Sequence, residues 1–400
     1  MHEKLRYNMS MAKYRVLIFL TTIIVVSIFG FLAISYARGY RFNFKSFSLA
    51  PTGLLVVKSE PTGAQIFING DLKTASDATI SLVPGTYDVE IKKQGYLSWN
   101  KRLTITKEEV TEATVSLFKQ APGLTPVTFS GVINPVPSED LSRIAYIVLP
   151  DKNSDLDNEG LWLIETSEFP IVGFSRDPRR VTDGDLSGAT IKFSPDSREI
   201  LLTTKTGIFL LNLNQFTSQS SRVNVAAQKD EILERWEEMR RIKLEAKIRN
   251  LPPELADILQ RKTERVVFSP DDNKILYTAS DSANLQDNLI KQLPGSSTQK
   301  QARNIEKGKS YVYDIKEDRN FFVADEGKVP NWFPTSRHLV LSDEGNVTVM
   351  DYDGTNKLSV YSGRYLPPHA YPYFNTTKLL ILTDLGATNG PANLYSLTLK

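Results

Sequence analysis

The 400-residue chain carries 48 basic and 46 acidic residues, a net charge of +2, and is 41% apolar. So even a balance gives no global field to attract nucleic acid. There is no cysteine, which excludes disulfides and thiolate zinc sites, and the only histidines are His2, His338 and His369. Histidine-based metal or acid–base constellations are therefore disfavoured, and no cofactor is expected.

The first element is the uncharged run from Val16 to Tyr36, "VLIFLTTIIVVSIFGFLAISY". As a helix it is about 31 Å long, close to the ~30 Å hydrocarbon thickness of a bilayer. Arg15 and Arg38 bracket it, and Tyr14, Tyr36 and Tyr40 suit a membrane interface. The expected order is a short tail at 1–15, a transmembrane helix at 16–37 and a linker at 38–53. A cleaved signal is the rival reading, because Ser35 and Ala37 fit a small-residue cleavage site. The apolar core exceeds the ~7–15 residues usual for a signal, which favours an uncleaved anchor. Lys4, Arg6, Lys13 and Arg15 precede the run, and Arg38, Arg41 and Lys45 follow it. That count leans toward a cytoplasmic N-terminus and a single-pass protein of the cell membrane, with the later domains extracytoplasmic. Membrane lipid is thus the first expected partner.

From 54 to 118 the chain reads as short strands and tight turns. Ala64, Ile66 and Ile68 alternate with Gln65 and Phe67, and Asn69-Gly70 supplies the positive φ of a two-residue hairpin. Pro84-Gly85 makes a second turn, after which Tyr87, Val89 and Ile91 share a face. "KRLTIT" and "EATVSLF" supply two more strands. Pro61, Gly63 and Ala64, then Asn69-Gly70, then "PGTYDVEIKKQGY" stand in the register of a known small module, with Thr62 at the second position of its naming motif. This segment resembles the PEGA domain, a small β-sandwich of prokaryotic surface-associated proteins. The resemblance implies architecture and location, and names no ligand.

The stretch 119–400 repeats one pattern: "FSPDSREILLTT" from Phe193, "FSPDDNKILYTA" from Phe268, "FPTSRHLVLS" from Phe333, "FNTTKLLILT" from Phe374 and a weaker "PSEDLSRIAYIV" from Pro137. Each copy is a strand end, a polar turn and an apolar strand, and each is followed by another short strand. With insertions removed the period is near 40 residues, which predicts a β-propeller of five blades. The last unit lacks an outer strand, and "LTPVTF", Leu124 to Phe129, is expected to supply it. The segment Arg179–Thr204 resembles the repeat of TolB-like propellers, relatives of the tryptophan–aspartate-repeat fold; that bears on fold and little on function. Asp196 and Asp271 in the "SPD" turns are expected to bond backbone amides. The fold class is therefore mainly β: transmembrane helix, PEGA-like sandwich and five-bladed propeller.

Two insertions interrupt the pattern, a helical one at 226–262 and a polar loop at 281–309. In the first, Ile232, Trp236, Met239 and Ile242 fall at helical spacing, Glu237 precedes Arg241 by four, and Pro252-Pro253 separates two helices. It is either a hairpin packed on the propeller's flank or a protruding arm for a partner.

For chemistry the signals are sparse. Asp151, Asn153, Asp155 and Asp157 alternate as at the start of a calcium loop, but Leu156 stands where the glycine belongs and Trp162 where the closing carboxylate belongs. They are weak metal candidates in what is otherwise a solvated acidic loop. Neither His338 nor His369 follows a nucleophile motif. "GRYLPPHAYPYF", Gly363 to Phe374, is either an aromatic surface for sugar or peptide or a packed connection between blades. The candidate partner-binding residues are Trp236, Met239, Arg240, Tyr365, His369 and Tyr371. The expected function is non-catalytic: extracytoplasmic binding or scaffolding that recognises a protein or a cell-envelope glycan, with no nucleic acid. A propeller-type glycan hydrolase or lyase is the first alternative, and an envelope sensor the second.

Overall fold

The computed structural model describes residues 2–43, 48–150, 158–166, 177–291, 297, 299–373, 377–386 and 390–400. It divides into two compact units. The first includes Met1–Ile91 and Arg102–Ser116, the second Lys92–Lys101, Leu117–Leu293 and Gln299–Lys400.

The first unit opens with helix α1, His2–Ala37, so the expected tail is helical as well. Within it, Leu17–Ala37 is long and apolar enough to cross a membrane, and apart from Ser35 its side chains are exposed. Thr21 and Thr22 return their hydroxyls to the carbonyls of Leu17 and Ile18, which satisfies their polarity inside the helix. The expected linker holds a small hairpin, Arg41–Asn43 against Ser48–Ala50. Two sheets follow. In one, Gly53–Glu60 lies between Ala78–Leu82, antiparallel, and Val110–Ser116, parallel. The other runs Asp71–Ala75, Gln65–Ile68, Gly85–Lys92, Trp99–Ile105. The alternation read in the sequence sets their core: Ala64, Ile66, Ile68, Val89 and Ile91 are buried with Leu55, Val57, Ile105 and Val115. Asn69 and Gly70 both take positive φ, 51° and 86°, as their hairpin requires.

Among the described residues the second unit contains five antiparallel sheets of three or four strands, besides one two-stranded pair. Sheet I is Ile133–Pro137, Arg143–Val148, Gly160–Glu165, Arg179–Asp183, and sheet II is Thr190–Phe193, Glu199–Thr203, Ile208–Asn212. Sheet III is Thr263–Phe268, Lys274–Ala279, Ser310–Asp314, Arg319–Ala324, and sheet IV is Asn331–Trp332, His338–Asp343, Asn346–Asp351, Leu358–Ser362. Sheet V is Ala370–Tyr373, Lys378–Thr383, Asn393–Thr398 and, from far back in the chain, Gly123–Pro126. That last strand pairs Gly123 with Thr398 and Pro126 with Tyr395, in the position expected for "LTPVTF". Sheet II has three strands. Its edge is finished by Val225 N–H donating to the Ile208 carbonyl (2.7 Å) and by the Asn224 carboxamide oxygen accepting from Ile208 N–H (3.3 Å).

Period-two alternation gives every sheet two apolar faces, and each face finds a cover. Sheet I turns Ala145, Ile147 and Leu163 to Ile191, Ile200 and Leu202 of sheet II. Its other face, Ile144, Tyr146 and Ile164, packs on Tyr371, Leu380 and Leu394 of sheet V. Leu379, Ile381 and Leu397 of sheet V meet Val340, Val347 and Val349 of sheet IV. Leu339, Leu341 and Met350 of sheet IV meet Leu276, Val312 and Val323 of sheet III.

Two faces remain, and the helical insertion covers both. Helices α2, Lys229–Ile248, and α3, Pro253–Arg261, are divided at Pro252-Pro253 as expected. Ile232 and Trp236 at the start of α2 cover Leu201 of sheet II. Ile248 at its end, with Leu255, Ile258 and Leu259 of α3, covers Ile275, Tyr277, Tyr311 and Tyr313 of sheet III. The insertion thus takes the packed alternative and is not a free arm. The polar loop also corrects its expectation. Ala283–Asn284 pairs with Asn304–Ile305, and Leu285 and Ile305 are buried in the same cluster as the helices.

Candidate functional site

One turn recurs between the first two strands of sheets I to III. Ser138, Ser194 and Ser269 each donate a hydroxyl to the aspartate two residues on, Asp140, Asp196 and Asp271, at 2.6 Å. Asp196 and Asp271 also accept the N–H of Arg198 and Asn273, both at 3.2 Å, as expected of "SPD" turns. Burial raises the Asp271 carboxyl, but its bonds from Asn273 and Ser269 outweigh that and bring it down to about 2. The residue immediately after each aspartate bends through positive φ: Leu141, Ser197 and Asp272 at 56°, 60° and 55°, with Ser336 at 58° in sheet IV.

These turns touch one another. Ser197 Oγ donates to Asp140 (2.9 Å), and Asp271 N–H donates to Ser336 Oγ (3.0 Å). Between sheets II and III the bridge is α2. Arg240 pairs with Glu139 of the first turn, Lys243 Nζ donates to the Pro195 carbonyl of the second (2.7 Å), and Lys247 pairs with Asp272 of the third. Steps of three and four put these cations on one helix face.

That geometry corrects most of the partner-binding expectations. Trp236 is 1% exposed and is a core residue beneath α2, not a contact on a free surface. Met239 packs at the edge of the same cluster. Arg240 is held by Glu139 and by Glu237. Arg241 pairs with Glu238 and Glu245, so the expected Glu237–Arg241 pair does not form. Ile242, expected on the buried face, is 55% exposed. The "GRYLPPHAYPYF" segment takes the packed alternative: Tyr365 is buried and donates to the carbonyls of Asp343 and Asn346, and Tyr371 is buried with its hydroxyl on the Pro135 carbonyl (3.3 Å). His369 is half-buried, its Nδ1 2.6 Å from the Tyr371 hydroxyl. Asp151, Asn153, Asp155 and Asp157 lie outside the described residues, and among the described residues no cluster of metal-ligating side chains occurs.

His338 is 3% exposed, edge-on to Phe118 and Phe333, with Nδ1 2.8 Å from Thr335 Oγ1 and Nε2 3.7 Å from Asp351. Burial, reinforced by the nearby cations Arg337, Lys400 and Lys101, brings it down to about 3. The imidazole is a packed core group whose hydrogen bond to Thr335 fixes the ring. Asp351 is shared further: it accepts Trp99 Nε1 (3.1 Å), Asn356 Nδ2 (3.0 Å) and the Lys101 ammonium (3.4 Å), and Lys101 also pairs with Asp353. Burial opposes the lysine's charge, but Asp353 and Asp351 outweigh it and raise its pKa.

A concave feature among the described residues is a cleft of about 200 Å³ where the last strand of sheet III meets sheet IV. Val323, Ala324 and Leu341 form its apolar floor, and Lys328, Asp343, Asn346, Thr348, Lys357 and Ser359 its polar wall. Lys328 pairs with Asp343 at 3.0 Å, while Lys357 is exposed and open to a ligand's acceptor. Nothing in the sequence singled these residues out, because they meet only when two sheets stack.

The PEGA domain family matches residues 52–121. No curated protein matches the chain. Solved structures similar to it include TolB from Acinetobacter baumannii, at 11% identity and a TM-score of 0.23, covering 78% of this chain and 59% of that one. The putative TolB from Agrobacterium tumefaciens is 12% identical with a TM-score of 0.22, covering 67% and 79%. The acylaminoacyl peptidase of Pyrococcus horikoshii is 10% identical with a TM-score of 0.21, covering 68% and 39%. The chain thus spans about three fifths of the Acinetobacter protein. Residues 52–121 thus match the PEGA domain, and two of the solved structures similar to the chain are TolB proteins.

Proposed function

We propose that this chain is a membrane-anchored, extracytoplasmic binding or scaffold protein, whose five sheets are the blades of a five-bladed propeller and whose ligand is a protein or a cell-envelope glycan. Sheets that cover one another in the order V, I, II, III, IV, with helices α2 and α3 between II and III, support the five-bladed reading. The single observation that carries the binding role is the cleft between sheets III and IV. Its apolar floor with amide, hydroxyl, lysine and carboxylate groups at the wall suits a polar extended ligand such as a peptide or a sugar chain. The test is capture of envelope components by the full chain in nanodiscs, compared with a Lys328→Glu/Lys357→Glu variant. Loss of specific partners in the variant is expected; an identical partner set would remove the cleft from the proposal.

The two carboxylates at the cleft, Asp325 and Asp343, favour a second reading as a glycan hydrolase. Against it, the Lys328 ammonium already engages Asp343 in an ion pair at 3.0 Å. Glycan turnover abolished by Asp343→Asn would reverse this preference.

A further inference from the structure

The end of α1 is tied to one end of the PEGA domain. Tyr40 N–H donates to the Ser35 carbonyl (2.9 Å), and the Gly39 carbonyl accepts both the N–H of Thr52 (3.1 Å) and its hydroxyl. Thr52 in turn accepts Glu108 N–H at 3.0 Å, Leu54 N–H donates to the Glu109 carbonyl at 2.9 Å, and Ser81 Oγ donates to Thr52 Oγ1 at 2.9 Å. Arg41 reinforces the joint, its guanidinium 4.0 Å from the Tyr36 ring centre and 3.0 Å from the Tyr36 carbonyl. Gly53 admits the 106–109 turn against the strand: a Cβ there would lie 2.2 Å from the Thr106 carbonyl oxygen. The sheet end therefore follows the last apolar residue, Ala37, through a short hydrogen-bonded path, not a loose tether.

Two aliphatic side chains project at that same end. Gly53 is paired with Leu82 and Leu54 with Val110, so Val83 and Val110 flank the strand that α1 feeds. They are 55% and 52% exposed. Around them stand Arg38, Tyr40, Arg41, Lys107, Glu108 and Glu109, three cations against two anions, with Tyr40 bonded to Glu108. Such an end has apolar tips and a net charge of only about +1.

We propose that this end of the PEGA domain rests in the interfacial zone of the bilayer, with Val83 and Val110 as its lipid contacts. The occupant is the lipid surface because the end is continuous with the membrane helix, and the headgroup layer extends only about 5–8 Å beyond the hydrocarbon. With so small a net charge, anionic lipid is a minor contributor to the contact. This rests on the reading of Leu17–Ala37 as a span.

The absence of cysteine allows a direct test. Single variants Ile24→Cys, Val83→Cys, Val110→Cys and Gln65→Cys are labelled with bimane in the full chain, in phosphatidylcholine nanodiscs containing lipid doxyl-labelled either near the headgroup or deep in the acyl chain. Gln65 is the distal control: it follows the far end of strand Gly53–Glu60, about 23 Å away at ~3.3 Å per residue. Several-fold quenching at 24 by the deep label and at 83 and 110 by the shallow one, but at 65 by neither, is expected, and adding anionic lipid should change it little. Quenching at 24 with 83 and 110 behaving like 65 would overturn the proposal and leave the span intact. No quenching at 24 would overturn the span, and the proposal with it.

Discussion

The Lys243 ammonium donates to the Pro195 carbonyl oxygen at 2.7 Å, one turn of α2 before Lys247 reaches the Asp272 carboxylate. Through these two lysines a single helix joins the turn of sheet II to the turn of sheet III, where two successive sheets do not cover each other directly. The apolar anchor of that helix is Trp236. Trp236→Ala is expected to destabilise the chain by about 3–5 kcal/mol, because it removes a large buried ring from a site whose backbone is held at both ends. Ile242→Ala, on the exposed face of the same helix, should change stability by less than about 0.5 kcal/mol. Denaturant unfolding of both variants in detergent decides this; equal effects would mean the helix is not a wedge.

How much of this was legible beforehand depended on whether a feature was local. The hairpin at Asn69-Gly70, the Pro252-Pro253 break and the "SPD" turns are decided within a few residues, and their geometry follows the residue types. The outer strand of sheet V was legible despite a separation of more than 260 residues, since a repeat that stops one strand short demands a donor. Trp236 was misassigned because helical spacing shows that a face is apolar and not what covers it. The set around Asp351 left no trace at all, as Trp99 and Lys101 approach it across some 250 positions.

The pairing of Gly123–Pro126 with Asn393–Thr398 closes sheet V with strands from opposite ends of the second unit. Leu397 lies opposite Leu124 in that ladder and is fully buried against sheet IV. Leu397→Ala should cost about 2–5 kcal/mol. It should also speed hydrogen exchange in 123–126 and 378–383 ahead of sheets I to III, which mass spectrometry would resolve. Uniform exchange over all five sheets would refute the latch.

Lys101 is the only cation paired with either Asp351 or Asp353 among the described residues, apart from the neutral His338 nearby. Lys101→Met would leave two buried carboxylates uncompensated, with an expected cost of about 3–5 kcal/mol. The double variant Asp353→Asn with Lys101→Met should recover part of that loss. Additive losses in thermal unfolding would show that the three groups do not act together.

His338 should give the chain a pH dependence in a range where few other groups act. Its folded pKa is depressed to about 3 from an ordinary 6.5, mainly by burial, with Arg337, Lys400 and Lys101 adding to the effect and Asp353 opposing it. The unfolded chain therefore binds a proton that the folded chain refuses. The stabilisation is complete above about pH 6.5 and is lost as pH falls toward about 3. Between pH 6.5 and 4.5 the loss approaches about 2.5 kcal/mol. Asp271, depressed to about 2, adds its own loss only below the ordinary carboxylate range near 4. Comparing wild type with His338→Gln by denaturant unfolding at pH 7 and pH 4.5 isolates the histidine. The variant should be less stable at pH 7, for want of the packed ring between Phe118 and Phe333, yet lose less on acidification. Parallel losses in the two proteins would show that the imidazole is already charged or already solvated in the fold.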